Sequence, residues 1–366
     1  VEHMLFKSTE NRSTKEIAVE MDALGGQVNA FTAKECTCYY AKVIAEHLPR
    51  AMDLLCDLLL NARMDEAEFE KERGVILEEI AMCEDTPEDL VYDLLAEAYF
   101  GEHPLARPIL GTHDQIASVT RDALLAFRKK HYRPDNTVLA IAGQFDTEKF
   151  RELAEKLLSG WHAEGETHIP APVKGTIPRV LTRKKDIEQV HMCLAFPGVQ
   201  QDEDDLYPLS VMNNLFGGGM SSRLFQRIRE EMGAVYSVYS FPSTYTNCGT
   251  FTVYAGTSPE SAQKVADELH HQIRLLCEDG VTQEEFEMAK EQLKVSYVLG
   301  LESSSSRMSA IGRSKLLRGK AVDPQDVIRK IEAVTKEDVE RVTREMFSKD
   351  CAASAVGRNI EQLKLL

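Results

Sequence analysis

"IASVTRDALLAFRKKHY" (residues 116–132) has a counterpart late in the chain, "IEAVTKEDVERVTREMF" (residues 331–347). A second pair of stretches repeats in the same order. At 25–45 and again at 233–257, glycine is followed by a run rich in aromatic and β-branched residues, the signature of a hairpin. Matched elements in matched order argue for an internal duplication of α+β units. The expected fold is therefore α+β, with two similar domains, each a mostly antiparallel sheet covered by helices.

Working outward, "TKEIAVEMDALGG" (14–26) places apolar residues at helical spacing and ends on two glycines. A hairpin is predicted over 27–45, and helices over 48–62, 65–85, 87–100 and 120–132. Asp65, with Glu68 three residues on, reads as an N-terminal cap. "TVLAIAGQF" (137–145) predicts a strand, and 146–161 a helix. The stretch 162–178 is rich in Pro, Gly and polar residues and has no period, which marks a boundary. The expected division is an N-terminal domain over 1–161, a linker over 162–180 and a C-terminal domain over 181–366. The second half predicts a strand over 189–199, a helix-rich stretch over 204–231, the second hairpin, and helices from 261 and 282. The first copy reads as short of its opening strands, so an N-terminal piece is expected ahead of Val1.

The 366 residues are 43% hydrophobic and 28% charged, enough for two ordinary domains. A net charge of −16 argues against nucleic acid as a partner. It could suit basic peptides, but a charge excess is more often a solvated surface. Eight scattered cysteines with no C-x-x-C pair fit reduced thiols in a cytosol-like compartment. Cys36 and Cys38 share one face of a strand, as metal ligands or as packing. No apolar run reaches the roughly 18 residues of a membrane helix. The expected location is the cytoplasm, or the mitochondrial matrix for a eukaryotic source.

Several residues carry possible chemistry. Glu2-His3 in "VEHMLF" is either a polar helix end or half of a metal motif. Glu72 and Glu79 are seven apart in "EFEKERGVILEEIAM", so they lie within about 20° of each other on one helix face. They are either a functional carboxylate pair or a solvated acidic face. Val75, Ile76 and Leu77 between them read as core packing. Arg229 and Tyr236 read, on their own, as a surface charge and a core aromatic. "GGQVNAFT" (25–32) leads into a hairpin. "FGGGMSS" (216–222) lacks the lysine and context of a phosphate loop and reads as a connection before a helix. His270 and His271 point about 100° apart on a helix and read as surface residues.

Taken together, "VEHMLFKST", "LGGQVNAFTAKECTCYY", "KERGVILEEIAMCEDTPED", "HPLARPILGT" and "YRPDNTVLAIAG" resemble the pitrilysin/insulinase family of zinc peptidases, in its short branch similar to mitochondrial processing peptidase. The resemblance covers essentially the whole chain. The family pattern is His-x-x-Glu-His with a further Glu about 76 residues on, and Glu79 stands 76 positions after His3. The resemblance implies a zinc site held by His3, Glu79 and a first histidine two positions ahead of Val1, a position outside this sequence. The 366 residues alone would then bind zinc poorly and be inactive. Glu2 is implied as general base, Glu72 as a residue orienting a ligand or holding positive charge, and Asn29 and Ala30 on the edge strand as substrate contacts. Arg229 and Tyr236 are implied to approach the site from the C-terminal half, the tyrosine as a donor to the substrate carbonyl. The implied function is a metalloendopeptidase, cleaving oligopeptides or unfolded segments in a clamshell chamber closed by a homodimer. The rival expectation is a non-catalytic peptide-binding or assembly subunit of the same fold.

Overall fold

The computed structural model of the chain describes residues 1–162, 165, 171–173 and 178–366. Most of the aperiodic stretch 162–178 lies outside these residues. In chain order the elements begin with α1 (Glu2–Leu5), α2 (Thr14–Leu24), β1 (Gln27–Thr32), β2 (Thr37–Lys42), α3 (Leu48–Asn61), α4 (Glu66–Asp85) and α5 (Pro87–Phe100). There follow α6 (His113–Ser118), α7 (Arg121–His131), α8 (Thr147–Leu158), β3 (Val180–Lys184), β4 (Val190–Pro197) and α9 (Leu206–Phe216). A π-helical turn, Phe225–Glu231, precedes β5 (Val235–Thr244) and β6 (Gly249–Thr257). The chain continues through α10 (Ala262–Asp279), α11 (Gln283–Gly300), α12 (Ser304–Arg318), α13 (Pro324–Ala333), α14 (Lys336–Phe347) and β7 (Ala352–Gly357).

The duplication is visible in the order of these elements. The offset of 215 residues between positions 116 and 331 carries α3 onto α10, α4 onto α11, α5 onto α12, α7 onto α14 and β2 onto β6. The chain forms two compact units, and neither is continuous in sequence. The first comprises Val1–Ala81, Ile109–Ile169 and Ser303–Ala321; the second comprises Met82–Pro108, Pro170–Glu302 and Val322–Leu366. The equivalent helices α5 and α12 are thus exchanged, each grouping with the other copy's sequence.

The second unit holds a five-stranded sheet in the order β3-β7-β4-β6-β5, antiparallel except where β3 meets β7. β4 shows why its sequence reads as an unbroken apolar run. Val190, Met192, Leu194 and Phe196 enter a core with α9, α10 and α14, while Cys193 and Ala195 face Leu90, Val91 and Leu94 of α5. A strand's period of two divides its side chains between two covered faces. Each fully buried side chain of this size contributes roughly 1.5–3 kcal/mol.

The first unit contains the hairpin β1–β2, with Asn29 opposite Tyr40 and Ala30 opposite Tyr39. Ile17 and Leu24 of α2 and Ala51, Leu54 and Leu58 of α3 pack together, with Val28 and Ala41 of the hairpin against them. The two glycines at the end of α2 are needed for different reasons. Gly25 ends the helix at φ +66°, in the left-handed region. Gly26 starts the hairpin so close to its partner that a Cβ would stand 2.0 Å from the Lys42 carbonyl oxygen.

Three expectations change. Residues 137–145 are not a strand, and Leu139 is 48% exposed. The same offset carries 137–142 onto β7, which is hydrogen-bonded between β3 and β4. Among the described residues of the first unit no strand flanks 137–142, and an extended segment without a ladder partner is not a strand. Val75 is 44% exposed, so of the three apolar residues expected to pack, only Ile76 and Leu77 are partly covered. His270 is half-buried, with its Nε2 2.9 Å from the Leu365 carbonyl oxygen, whereas His271 is exposed as expected. Among the described residues the eight cysteines form no disulfide, and Cys36 and Cys38 are half-buried. "FGGGMSS" is a connection, as read.

Candidate metal centre

Helix α1 is four residues long and is held by what it buries. Met4 is 3% exposed and Leu5 is fully buried, packed with Ala62, Met64 and Phe69. That fixes the opposite side of the turn, which carries Glu2 and His3. The loop after α1 is anchored by Asp57 of α3, whose carboxylate accepts from Thr9 Oγ1 at 2.7 Å, Asn11 Nδ2 at 2.6 Å, Asn61 Nδ2 at 2.8 Å and Arg12 Nη1 at 2.7 Å. Burial alone would raise the Asp57 pKa; these hydrogen bonds outweigh it and hold the group below the usual carboxylate range.

Both ring nitrogens of His3 face carboxylates of α4. Nδ1 lies 3.1 Å from Glu72 Oε2, and Nε2 lies 3.6 Å from Glu79 Oε2. The seven-residue spacing thus brings both glutamates to one imidazole. Glu72 is only 7% exposed, and its other oxygen, Oε1, is 2.6 Å from Lys7 Nζ. The geometry assigns the Nδ1 proton to the bond with Glu72, which leaves the Nε2 lone pair directed toward Glu79.

This arrangement bears on zinc. Two donors each about 2.1 Å from a tetrahedral zinc stand about 3.4 Å apart. The 3.6 Å between His3 Nε2 and Glu79 Oε2 is close to that separation. An imidazole, a carboxylate and a further carboxylate behind the imidazole are the chemistry of a histidine-carboxylate zinc site. The donors present fit part of such a site. Among the described residues no group of three or more His, Cys, Asp or Glu could hold a metal ion, so a third protein donor is not found there.

Glu2 turns away from that pair. Its Oε2 accepts a hydrogen bond from Thr32 Oγ1 at the end of β1. Tyr39 and Tyr132, whose hydroxyls are 2.9 Å apart, lie close enough to feel its charge. Burial is the main cause that raises both phenols above their usual range; for Tyr39 the neighbouring Tyr132 hydroxyl comes next, and the Glu2 charge adds a smaller push to both. On β1, Asn29 is exposed and Ala30 half-buried, with the Ala30 N–H donating to Asn29 Oδ1 at 2.8 Å.

Arg229 and Tyr236 belong to the second unit, and there the structure brings them together. Arg229 lies in the last part of the π-helical turn, and its guanidinium carbon lies 4.9 Å from the Phe225 ring centre and 5.7 Å from that of Tyr236. Tyr236 sits at a β-bulge between Val235 and Ser237, which aims it out of the ladder. It is 73% exposed, so the reading of it as a core aromatic does not hold. The second unit does not repeat the carboxylate pair. The 215-residue offset places Glu287 where α4 has Glu72, but Lys294 where it has Glu79. Lys294 pairs instead with Glu291 at 2.8 Å.

Lys7, Thr32, Tyr39 and Tyr132 were not singled out from the sequence. Lys7 carried one signal, since it follows His3 by four residues, about one helical turn. The others come from remote elements, and no local pattern marks them.

Residues 1–113 match the family model described as Insulinase (Peptidase family M16), and residues 118–293 match the one described as Peptidase M16 inactive domain. The chain is 43% identical over 357 residues to "Uncharacterized zinc protease YmxG" of Bacillus subtilis, a match covering 97% of this chain and 87% of that protein. A Streptomyces coelicolor protein, also named an uncharacterized zinc protease, is 40% identical over 371 residues, 98% of this chain and 79% of its own. Among solved structures, a protease from Helicobacter pylori has a TM-score of 0.89 at 24% identity, covering 97% of this chain and 87% of that one. A structure described as the peptidase M16 inactive domain from Pseudomonas fluorescens has a TM-score of 0.88 at 18% identity, covering 99% and 88%. These two share the fold. The chain belongs to the insulinase, or M16, peptidase family, the family its motifs resemble. No helix among the described residues is long and apolar enough to cross a membrane.

Proposed function

We propose that the protein is a zinc-dependent metalloendopeptidase acting on oligopeptides or unfolded polypeptide segments. The observation that carries this reading is the clamping of His3 between Glu72 and Glu79. His3 Nε2 and Glu79 would hold the metal, with the first histidine of His-x-x-Glu-His, two positions ahead of Val1, as third donor. When bound, zinc supplies a Lewis acid and a water of lowered pKa. Glu2 takes the proton of the attacking water. Thr32 holds Glu2 Oε2, which leaves Oε1 for that proton. Tyr236 donates its phenolic hydrogen to the carbonyl oxygen as charge develops, with Arg229 beside its ring to place it. An extended substrate adds along β1 near Asn29 and Ala30, which makes for weak sequence preference. Two copies of the chain form the enclosing chamber.

A non-catalytic peptide-binding or assembly subunit is the second reading. It takes its support from the match of residues 118–293 to the family model described as Peptidase M16 inactive domain. Metal analysis distinguishes the two. Full-length protein is expected to hold about one zinc per chain and to cleave an unstructured peptide, and the 366-residue form to hold zinc poorly. Full-length protein without zinc or cleavage overturns the peptidase and leaves the second reading.

A further inference from the structure

We propose that Lys7 is a positioning residue for the metal centre, acting on His3 through Glu72. The proposal rests on the peptidase reading of that centre. Lys7 Nζ is 2.6 Å from Glu72 Oε1, while Glu72 Oε2 is 3.1 Å from His3 Nδ1. The carboxylate is therefore held at both oxygens, by an ammonium on one side and an imidazole N–H on the other.

The physical need for the ammonium follows from burial. The Glu72 side chain is 9% exposed, and a buried carboxylate facing only a neutral imidazole is poorly compensated. Without a cation the side chain gains by rotating toward water, and Oε2 then leaves Nδ1. His3 would lose the bond that sets its ring orientation and points Nε2 at Glu79. A short charge-assisted bond prevents that rotation. Lys7 is well placed to supply it. It lies two residues beyond the end of α1, its amide donates to the Met4 carbonyl oxygen at 3.4 Å, and its side chain is 24% exposed. The same turn of chain thus carries both the imidazole and the cation that secures the partner of that imidazole. Met4 and Leu5, buried beneath, fix the turn itself. Lys7 touches no reacting atom in this scheme.

The test measures zinc affinity of full-length protein by chelator competition, alongside melting temperature. Lys7→Met is expected to weaken zinc binding on the order of tenfold, as loss of an outer hydrogen-bonding partner does. Lys7→Arg, which keeps the charge, should restore affinity to within about threefold of the parent. Glu72→Gln should weaken binding comparably, and the double variant Lys7→Met/Glu72→Gln should be little worse than either single one, since both act through one link. Lys7→Gln, which keeps a donor and loses the charge, serves if Lys7→Met does not fold. Unchanged zinc affinity in Lys7→Met or Lys7→Gln, with or without a lower melting temperature, overturns the proposal. So do additive losses in the double variant. His3→Ala and Glu79→Gln are the separate control: if neither weakens zinc binding, the peptidase reading of the centre has failed, not the link through Lys7 alone.

Discussion

Glu72 Oε2 stands 3.1 Å from His3 Nδ1, although 69 residues separate the two in the chain. The bond joins a four-residue helical turn to the middle of α4. It gives the buried Glu72 carboxylate a partner and the imidazole a fixed direction. Around this bond three glutamates take different places. Glu72 lies behind the imidazole, Glu79 faces its other nitrogen, and Glu2 points to Thr32.

The first prediction follows from those three placements. In full-length protein, Glu2→Gln is expected to keep zinc and lose most hydrolysis, because an amide of the same shape cannot accept the water proton. Glu79→Gln is expected to weaken zinc binding itself, because an amide oxygen is a poorer donor than a carboxylate. Glu78 is turned about 100° from Glu79, so Glu78→Gln should change little. Metal content and peptide cleavage of the three variants check the assignment. Zinc lost in Glu78→Gln but kept in Glu79→Gln would show the helix register to be off by one.

The second concerns Tyr236. At 73% exposure its hydroxyl has little to do with stability, so Tyr236→Phe should leave the melting temperature and zinc content unchanged. Turnover should fall on the order of 10²–10³-fold if the phenol stabilises charge on the carbonyl oxygen. Equal turnover of variant and parent would remove Tyr236 from the chemistry.

The third is a pH dependence in the second unit. Glu285 is the far side of a capping box with Thr282 at the start of α11, and Arg223 Nε and Nη2 grip its two oxygens at 2.7 and 2.8 Å. The Arg223 hydrogen bonds come first among the causes that draw its pKa down to about 2, against an ordinary 4.5. A depressed carboxylate stabilises the fold fully above its unfolded value, and that contribution is lost as pH falls from about 4.5 toward 2. Glu285→Gln should therefore cost about 2 kcal/mol near neutral pH and progressively less below pH 4.5, as followed by denaturant unfolding across pH. A cost independent of pH would mean that the Arg223 pairing contributes nothing.

The sequence by itself determined much of this protein. The helices α2, α3, α4, α5, α10 and α11 follow from apolar spacing and stop signals, which are properties of neighbouring residues. The duplication is legible because two copies keep the same order. The common direction of Glu72 and Glu79 follows from helix geometry alone, and the family from motifs spread along the chain. Tertiary structure decided the rest, because those features depend on contacts between remote elements. Residues 137–145 have a strand's composition, but a strand exists only where another chain segment accepts and donates its backbone hydrogen bonds. Tyr236 reads as an ordinary core aromatic until a bulge turns it outward. The exchange of α5 and α12 between units is invisible to local periodicity. Lys7 carries in sequence only its spacing of four residues from His3, and the approach of α1 to α4 makes it the cation beside a buried Glu72.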